Sequence, residues 1–263
     1  MNAAGLFDLT GKTAFVTGAG SGLGFAMAEG FAENHARVVL AEIDRARFDR
    51  AVQELKGRGF ECSGQIVDAA DPAQIEQAID RTSAEFGSLD IVVANAGISA
   101  GPGPMTEIGT IENVSRERWR QVLDINLSGV FATIQAAARH MKPQRSGRII
   151  VTASTAGLRG DPMVGYAYSA TKAAIVNLVR QAAMDLARFN VHINAIAPGP
   201  FRTSIGGGRM QEAGTESAFA ETLPLGRIGR PEEIKGAALL LASQASSFMT
   251  GAIIPVDGGA LSW

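Results

Sequence analysis

The run Tyr168-Ser169-Ala170-Thr171-Lys172 sets a phenol and an ammonium one helical turn apart in an alanine-rich stretch, close enough to meet on one helix face. A free tyrosine titrates near pH ~10, too high for acid–base work close to neutrality, and a neighbouring lysine cation favours the phenolate. The spacing therefore predicts a tyrosine whose pKa is drawn down into a useful range. A second group of residues points to a different task. Thr17-Gly18-Ala19-Gly20-Ser21-Gly22-Leu23-Gly24 follows a short β-branched run and leads into a helical one. Glycines let backbone amides approach a pyrophosphate, and a helix N-terminus attracts its charge. No Gly-Lys-Ser/Thr follows, so the lysine that nucleotide hydrolysis needs is missing. Glu42 closes the next β-branched run, about where a carboxylate accepts hydrogen bonds from an adenosine ribose, and its charge opposes a 2′-phosphate. Arg45 and Arg47 argue the other way, but Ser21 puts no cation into the glycine loop, so NAD is expected ahead of NADP.

These residues need a frame to hold them. Seven short runs, at 13–17, 37–42, 63–67, 89–95, 148–152, 192–197 and 253–256, read as strands. Between them lie amphipathic stretches at 25–34, 45–58, 72–86, 116–141, 169–189 and 231–242 that read as helices. Strands alternating with helices imply a parallel sheet covered on both faces, and right-handed crossovers make it a doubly wound, Rossmann-like α/β fold of seven strands. Ligands in such sheets sit beyond the carboxyl ends of the strands, which is where the glycine loop and Glu42 fall. No repeat or linker divides residues 1–263, so one domain is expected.

Composition excludes other classes. With 46% hydrophobic residues, 19% charged and a formal net charge of −2, there is no basic excess to invite nucleic acid or an anionic membrane. No apolar run is long enough for a membrane span, and the start lacks an apolar signal core, so a cytoplasmic protein is expected. The single cysteine, Cys62, forms no internal disulfide and reads as core packing in a strand. His35, His140 and His192 show no metal-ligand spacing, so no metal is expected.

With these motifs in hand, nearly the whole chain resembles the short-chain dehydrogenase/reductase superfamily. Its signatures occur in order: the glycine loop at 17–24, Asp68 after the third strand, Asn95-Ala96-Gly97 after the fourth, Asn126 in the next helix, Ser154 before Gly157, Tyr168 with Lys172, and Pro198-Gly199 with Thr203 after the sixth strand. Ala94 stands where the family often has a second asparagine. The resemblance implies that Asn126, Ser154, Tyr168 and Lys172 form a catalytic set. Tyr168 would exchange the proton of an alcohol while hydride passes to or from nicotinamide, Ser154 would hold the substrate oxygen, Lys172 would tune Tyr168 and grip the nicotinamide ribose, and Asn126 would support a water linking the lysine to solvent. It also implies cofactor contacts at Gly18, Ser21, Gly22, Leu23, Gly24, Glu42, Ile43, Asp68, Ala69, Asn95, Ala96, Gly97, Pro198, Gly199, Phe201 and Thr203. The expected substrate is a small-molecule alcohol or ketone: a sugar, polyol or sugar acid first, a cyclic or aromatic secondary alcohol next.

A lid is expected at about 200–229, with 206–208 as hinge and Met210, Phe219 and Leu223 as apolar cover. Arg159, Asp161, Met163, Arg202 and Arg209 are candidates to face the pocket. The helices holding 126–141 and 169–189 carry small and apolar residues on more than one face, and the resemblance implies that they pair subunits in a homotetramer, with Leu261 and Trp263 near a second interface. Two other classes compete. Gly97-Ile98-Ser99-Ala100-Gly101 matches the nucleophile elbow of serine hydrolases, but an elbow needs a helix directly after it, and Gly101-Pro102-Gly103-Pro104 starts one poorly. A nucleotide-binding regulator without turnover has no need of the Tyr168 and Lys172 pair.

Overall fold

The computed structural model describes residues 2–205 and 213–262. Seven parallel strands form one sheet in the order β3-β2-β1-β4-β5-β6-β7: β1 (Thr13–Thr17), β2 (Arg37–Glu42), β3 (Cys62–Ile66), β4 (Ile91–Ala94), β5 (Gly147–Thr152), β6 (Val191–Pro198) and β7 (Ile253–Val256). The chain winds outward from β1 to β3, then returns to place β4 against the other side of β1. The loops after β1 and β4 therefore leave the sheet in opposite directions and open a crevice between them.

The central strands are buried on both faces, as a covered parallel sheet requires. Alternate residues of β1 serve opposite layers. Phe15 packs with Val39 and Val92, its register partners on β2 and β4, under α3 (Pro72–Phe86), α5 (Val130–Gln144) and α6 (Tyr166–Leu186). Ala14 and Val16 face the other layer, beneath α1 (Gly22–Glu33), α2 (Arg45–Gly57) and α8 (Lys235–Ala242). Cys62 is buried on β3, and burial pushes its thiol up, so it packs as expected. Among the described residues no helix is long and apolar enough to cross a membrane, and no cluster of metal-ligating side chains occurs.

The expected helix over 116–141 is three pieces: α4 (Arg116–Leu123), a π-turn segment (Asp124–Gly129) and α5. Its wider turn holds Asn126. The match at 97–101 makes no nucleophile elbow, as the Gly101-Pro102-Gly103-Pro104 run predicts, because no helix follows β4 directly; residues 95–104 run as loop and Ser99 Oγ accepts from Gly101 N. A helix not read from the sequence, α7 (Ala213–Ala220), lies in the expected lid, whereas 206–208, Arg209, Met210 and Trp263 fall outside the described residues.

Candidate active site

Helix starts differ in a way that matters. Asp44 caps α2 by accepting from Arg47 N at 3.0 Å, and Asp71 caps α3 by accepting from Ala73 N at 2.9 Å. At α1 the N-cap Ser21 makes no side-chain cap, and no acidic residue occupies the first turn. Its end amides stay available, at the carboxyl end of β1, for an external anion. Gly18 (φ 63°) and Gly22 (φ 57°) adopt left-handed conformations that shape this turn. A Cβ on Gly24 would collide with Gly18 O and lie 2.5 Å from Asn95 Nδ2, so glycine here lets helix, loop and β4 close together. Such a cradle fits a dinucleotide pyrophosphate.

One cleft of about 1070 Å³ opens there. Gly18, Ser21, Gly22, Leu23, Gly24, Glu42, Ile43, Asp68 and Ala69 line it at one end; Asn95, Ala96 and Gly97 line its floor; and Pro198, Gly199, Phe201 and Thr203 close the other wall, with Ser154, Tyr168 and Lys172 between. Glu42 is 7% exposed. Its carboxylate accepts from Gly20 N at 3.0 Å and from Ile43 N and Asp44 N, each at 3.1 Å. Those three amides fix a carboxylate at the edge of the cleft. Arg47 also lines the cleft, but Arg45 does not; it pairs with Asp49 at 2.9 Å.

A polar chain runs under the site. Asn95 N donates to Thr17 Oγ1 at 2.9 Å, Thr152 Oγ1 donates to Asn95 Oδ1 at 3.0 Å, and Lys172 Nζ donates to Thr152 O at 2.6 Å. Lys172 is 3% exposed, and its ammonium lies 5.5 Å from the Tyr168 ring centroid. Tyr168 and Lys172 both sit in the first turns of α6, and Gly157 packs on the Lys172 backbone. Ser154, just beyond β5, caps a short turn through Ala156 N, 3.2 Å from its Oγ.

The expected direction of the Tyr168 shift is reversed in this cleft. Burial pushes the phenol up; the hydrogen bond with Ser154 opposes this, and the Asp161 carboxylate adds to the rise. Burial also brings Lys172 down to about 8. With the ammonium turned to Thr152 O, desolvation favours the neutral form of both groups.

Asn126 is 0% exposed and does not line the cleft. Its Nδ2 donates to Ile98 O at 2.9 Å and its Oδ1 accepts from Ile98 N at 2.8 Å, so its side chain positions the loop after β4 and does not contact the cleft. Asp161 and Met163 line the cleft as expected, and Phe219 lines it too. Arg159 and Arg202 do not line it; Arg202 is tied to Glu216 at 2.5 Å. Leu223 packs instead with Ile228 and Ala260. Sequence reasoning missed Arg118, a lining residue whose surroundings in sequence read as a solvated helix face.

A family model described as enoyl-(acyl carrier protein) reductase matches residues 18–260. The chain is 39% identical to cis-4-hydroxycyclohexanecarboxylate dehydrogenase of Sinomonas cyclohexanicum, over 94% of this chain and 96% of that one. This chain belongs to the short-chain dehydrogenases/reductases. It is 32% identical to 5-keto-D-gluconate 5-reductase of Escherichia coli strain K12, covering 97% and 98% of the two chains. The crystal structure of a gluconate 5-dehydrogenase from Burkholderia cenocepacia in complex with NADP and tartrate superposes with a TM-score of 0.90 at 33% identity, covering 100% of both chains. This short-chain dehydrogenase/reductase is accordingly a nicotinamide-dependent oxidoreductase acting on a CH–OH group.

Proposed function

We propose that this enzyme oxidises a secondary alcohol to a ketone with NAD, and reverses that reaction, using Tyr168 as acid and base. The observation that carries this reading is the convergence of Ser154, Tyr168 and Lys172 in the cleft that the glycine loop opens into. In oxidation the Tyr168 phenolate takes the hydroxyl proton, and Ser154 donates to the substrate oxygen and fixes its orientation. Bound nicotinamide supplies the hydride acceptor. Lys172, 5.5 Å from the Tyr168 ring centroid, favours the phenolate only while it holds its proton, and burial, which brings it down to about 8, limits that help to the lower end of the pH range. Asn126 acts indirectly, by holding the Ile98 backbone at the cleft floor. Among substrates, a sugar acid or a hydroxylated ring acid fits what the relatives are named for, and the apolar lining from Met105, Met163 and Phe219 favours a compact carbon skeleton.

Glu42 supports NAD, because a fixed carboxylate accepts from a ribose diol and repels a 2′-phosphate. A second reading, NADP, is favoured by Arg47 in the same cleft and by the NADP bound in the Burkholderia structure. Phe219, which lines the cleft, supports a lid role for the described part of the 200–229 segment. The groove lined by Leu127, Phe131, Ala132 and Leu178, with Phe131 49% exposed, supports assembly as a homotetramer through α5 and α6.

The test is turnover of hydroxy acids, polyols and cyclic alcohols with NAD and with NADP, followed into alkaline pH. Oxidation is expected to rise with pH as the Tyr168 phenol, held above its ordinary 10, ionises. Tyr168→Phe is expected to lower kcat at least about a thousandfold while leaving the NAD dissociation constant within about threefold. Retained turnover in that variant sinks the assignment, and tighter binding of NADP than NAD sinks the cofactor choice.

A further inference from the structure

The substrate end of the cleft contains a cation whose role the reaction does not explain. Arg118 stands in the first turn of α4, where Ser115 Oγ accepts from its backbone N at 3.2 Å. Its side chain is half-buried and reaches across to the loop after β4. There one guanidinium N–H donates to Ser99 O, and another donates to Gln121 Oε1 at 2.7 Å. Among the described residues no carboxylate lies within ion-pair distance of Arg118. Arg202, by contrast, is neutralised by Glu216 at 2.5 Å. A guanidinium carries five N–H donors in a fixed fork, roughly matched to a carboxylate, so Arg118 keeps donors free after serving two neutral oxygens.

The loop that Arg118 grips leans on the entry to the tyrosine helix. Gly103 packs against the backbone of Pro162 and Met163, and a Cβ on Gly165 would lie 3.0 Å from Ala100 Cβ. The cation is thereby attached to the same wall that delivers Tyr168, away from the glycine loop that receives phosphates. The same cleft is also lined by Met105 and Met163, whose thioethers are at most weak acceptors for a polar body. Asp161 is a further charge on this wall, and it would repel a second anion placed beside Tyr168.

We infer that Arg118 is a specificity residue that binds the carboxylate of a hydroxy acid, with the carbinol carbon at Tyr168 and a short apolar skeleton spanning between them. This rests on the alcohol-oxidising reading above and adds the charge of the substrate and the residue that recognises it. Arg118 takes no part in proton or hydride transfer.

The experiment is calorimetric titration of the NAD-saturated enzyme with cyclohexanecarboxylate and with cyclohexanecarboxamide, in wild type, Arg118→Gln and Arg118→Lys. Wild type is expected to bind the carboxylate at least about tenfold tighter than the amide. Arg118→Gln should lose that preference with amide affinity unchanged, and Arg118→Lys should recover part of it. Equal affinities in wild type, no binding of either probe, a preference that survives in Arg118→Gln, or equal loss of both ligands there would each overturn the proposal. Turnover is read separately on hydroxycyclohexanecarboxylates and their amides. Carboxylate preference without turnover of any alcohol leaves the Arg118 site standing and defeats the reaction; turnover without preference does the reverse.

Discussion

Replacing Lys172 by methionine separates the cost of burying its charge from the hydrogen bond it makes. In the folded, cofactor-free protein its pKa is brought from the ordinary 10.5 to about 8 by burial, at 3% exposure. Below about pH 8 both folded and unfolded chains hold the proton, and the folded state bears the whole penalty, which at about 1.4 kcal/mol per tenfold amounts to about 3 kcal/mol. Between about pH 8 and 10.5 the unfolded chain holds the proton and the folded chain has released it, so wild-type stability rises with pH. By about pH 9.5 the penalty has shrunk to about 1.4 kcal/mol. Methionine removes it at every pH and also strips Thr152 O of its 2.6 Å donor, a constant loss of about 1 kcal/mol. The constant loss cancels in the comparison. Urea unfolding of cofactor-free wild type and Lys172→Met, at one protein concentration, should therefore show the variant's relative stability falling by about 2 kcal/mol between about pH 7 and 9.5. A difference that stays flat across that range would show that Lys172 is not buried as a displaced ammonium.

Two further outcomes follow from other parts of the fold. Asn126→Ala leaves the Ile98 N–H and carbonyl without their partners, at 2.8 and 2.9 Å, and is expected to lower stability by about 2 kcal/mol in the same urea assay; an unchanged midpoint would refute the positioning role. Light scattering at micromolar concentration is expected to give the mass of four chains, and Phe131→Glu, placing a charge in the α5 groove, should shift it toward smaller species; a wild-type monomer would refute the assembly.

The sheet was legible because its central strands are buried on both faces and so appear as runs of Val, Ile and Ala, such as Ile91–Ala94, that no surface element would carry. The glycine loop was legible because Gly18, Gly22 and Gly24 answer backbone demands that no other side chain meets. Helix boundaries near the site were less so: nothing local distinguishes the π-turn at Asp124–Gly129 from ordinary helix, since it depends on how α4 and α5 pack. The sign of the Tyr168 shift was misread because spacing along a helix reports proximity and not burial, and in this cleft burial outweighs the Ser154 hydrogen bond. Charge placement failed in both directions for the same reason. Arg202 looked available until Glu216 captured it, and Arg118, not singled out by the sequence, is brought to Ser99 only by tertiary packing.

The π-turn also sets a phase. Each residue of an α-helix advances the chain by about 100° around its axis, and a π-turn accommodates one residue beyond the regular count. Asp124–Gly129 therefore fixes how the face of α4 that bears Arg118 and Val122 is rotated relative to the face of α5 that packs Val130 and Ile134 into the core. With α5 anchored, a single deletion in that segment would swing Arg118 by about a quarter turn away from Ser99 while leaving Ser154, Tyr168 and Lys172 unchanged. The chemistry of the tyrosine helix and the choice of molecule presented to it are thus separable in this chain, because one is fixed by composition and the other by angular register.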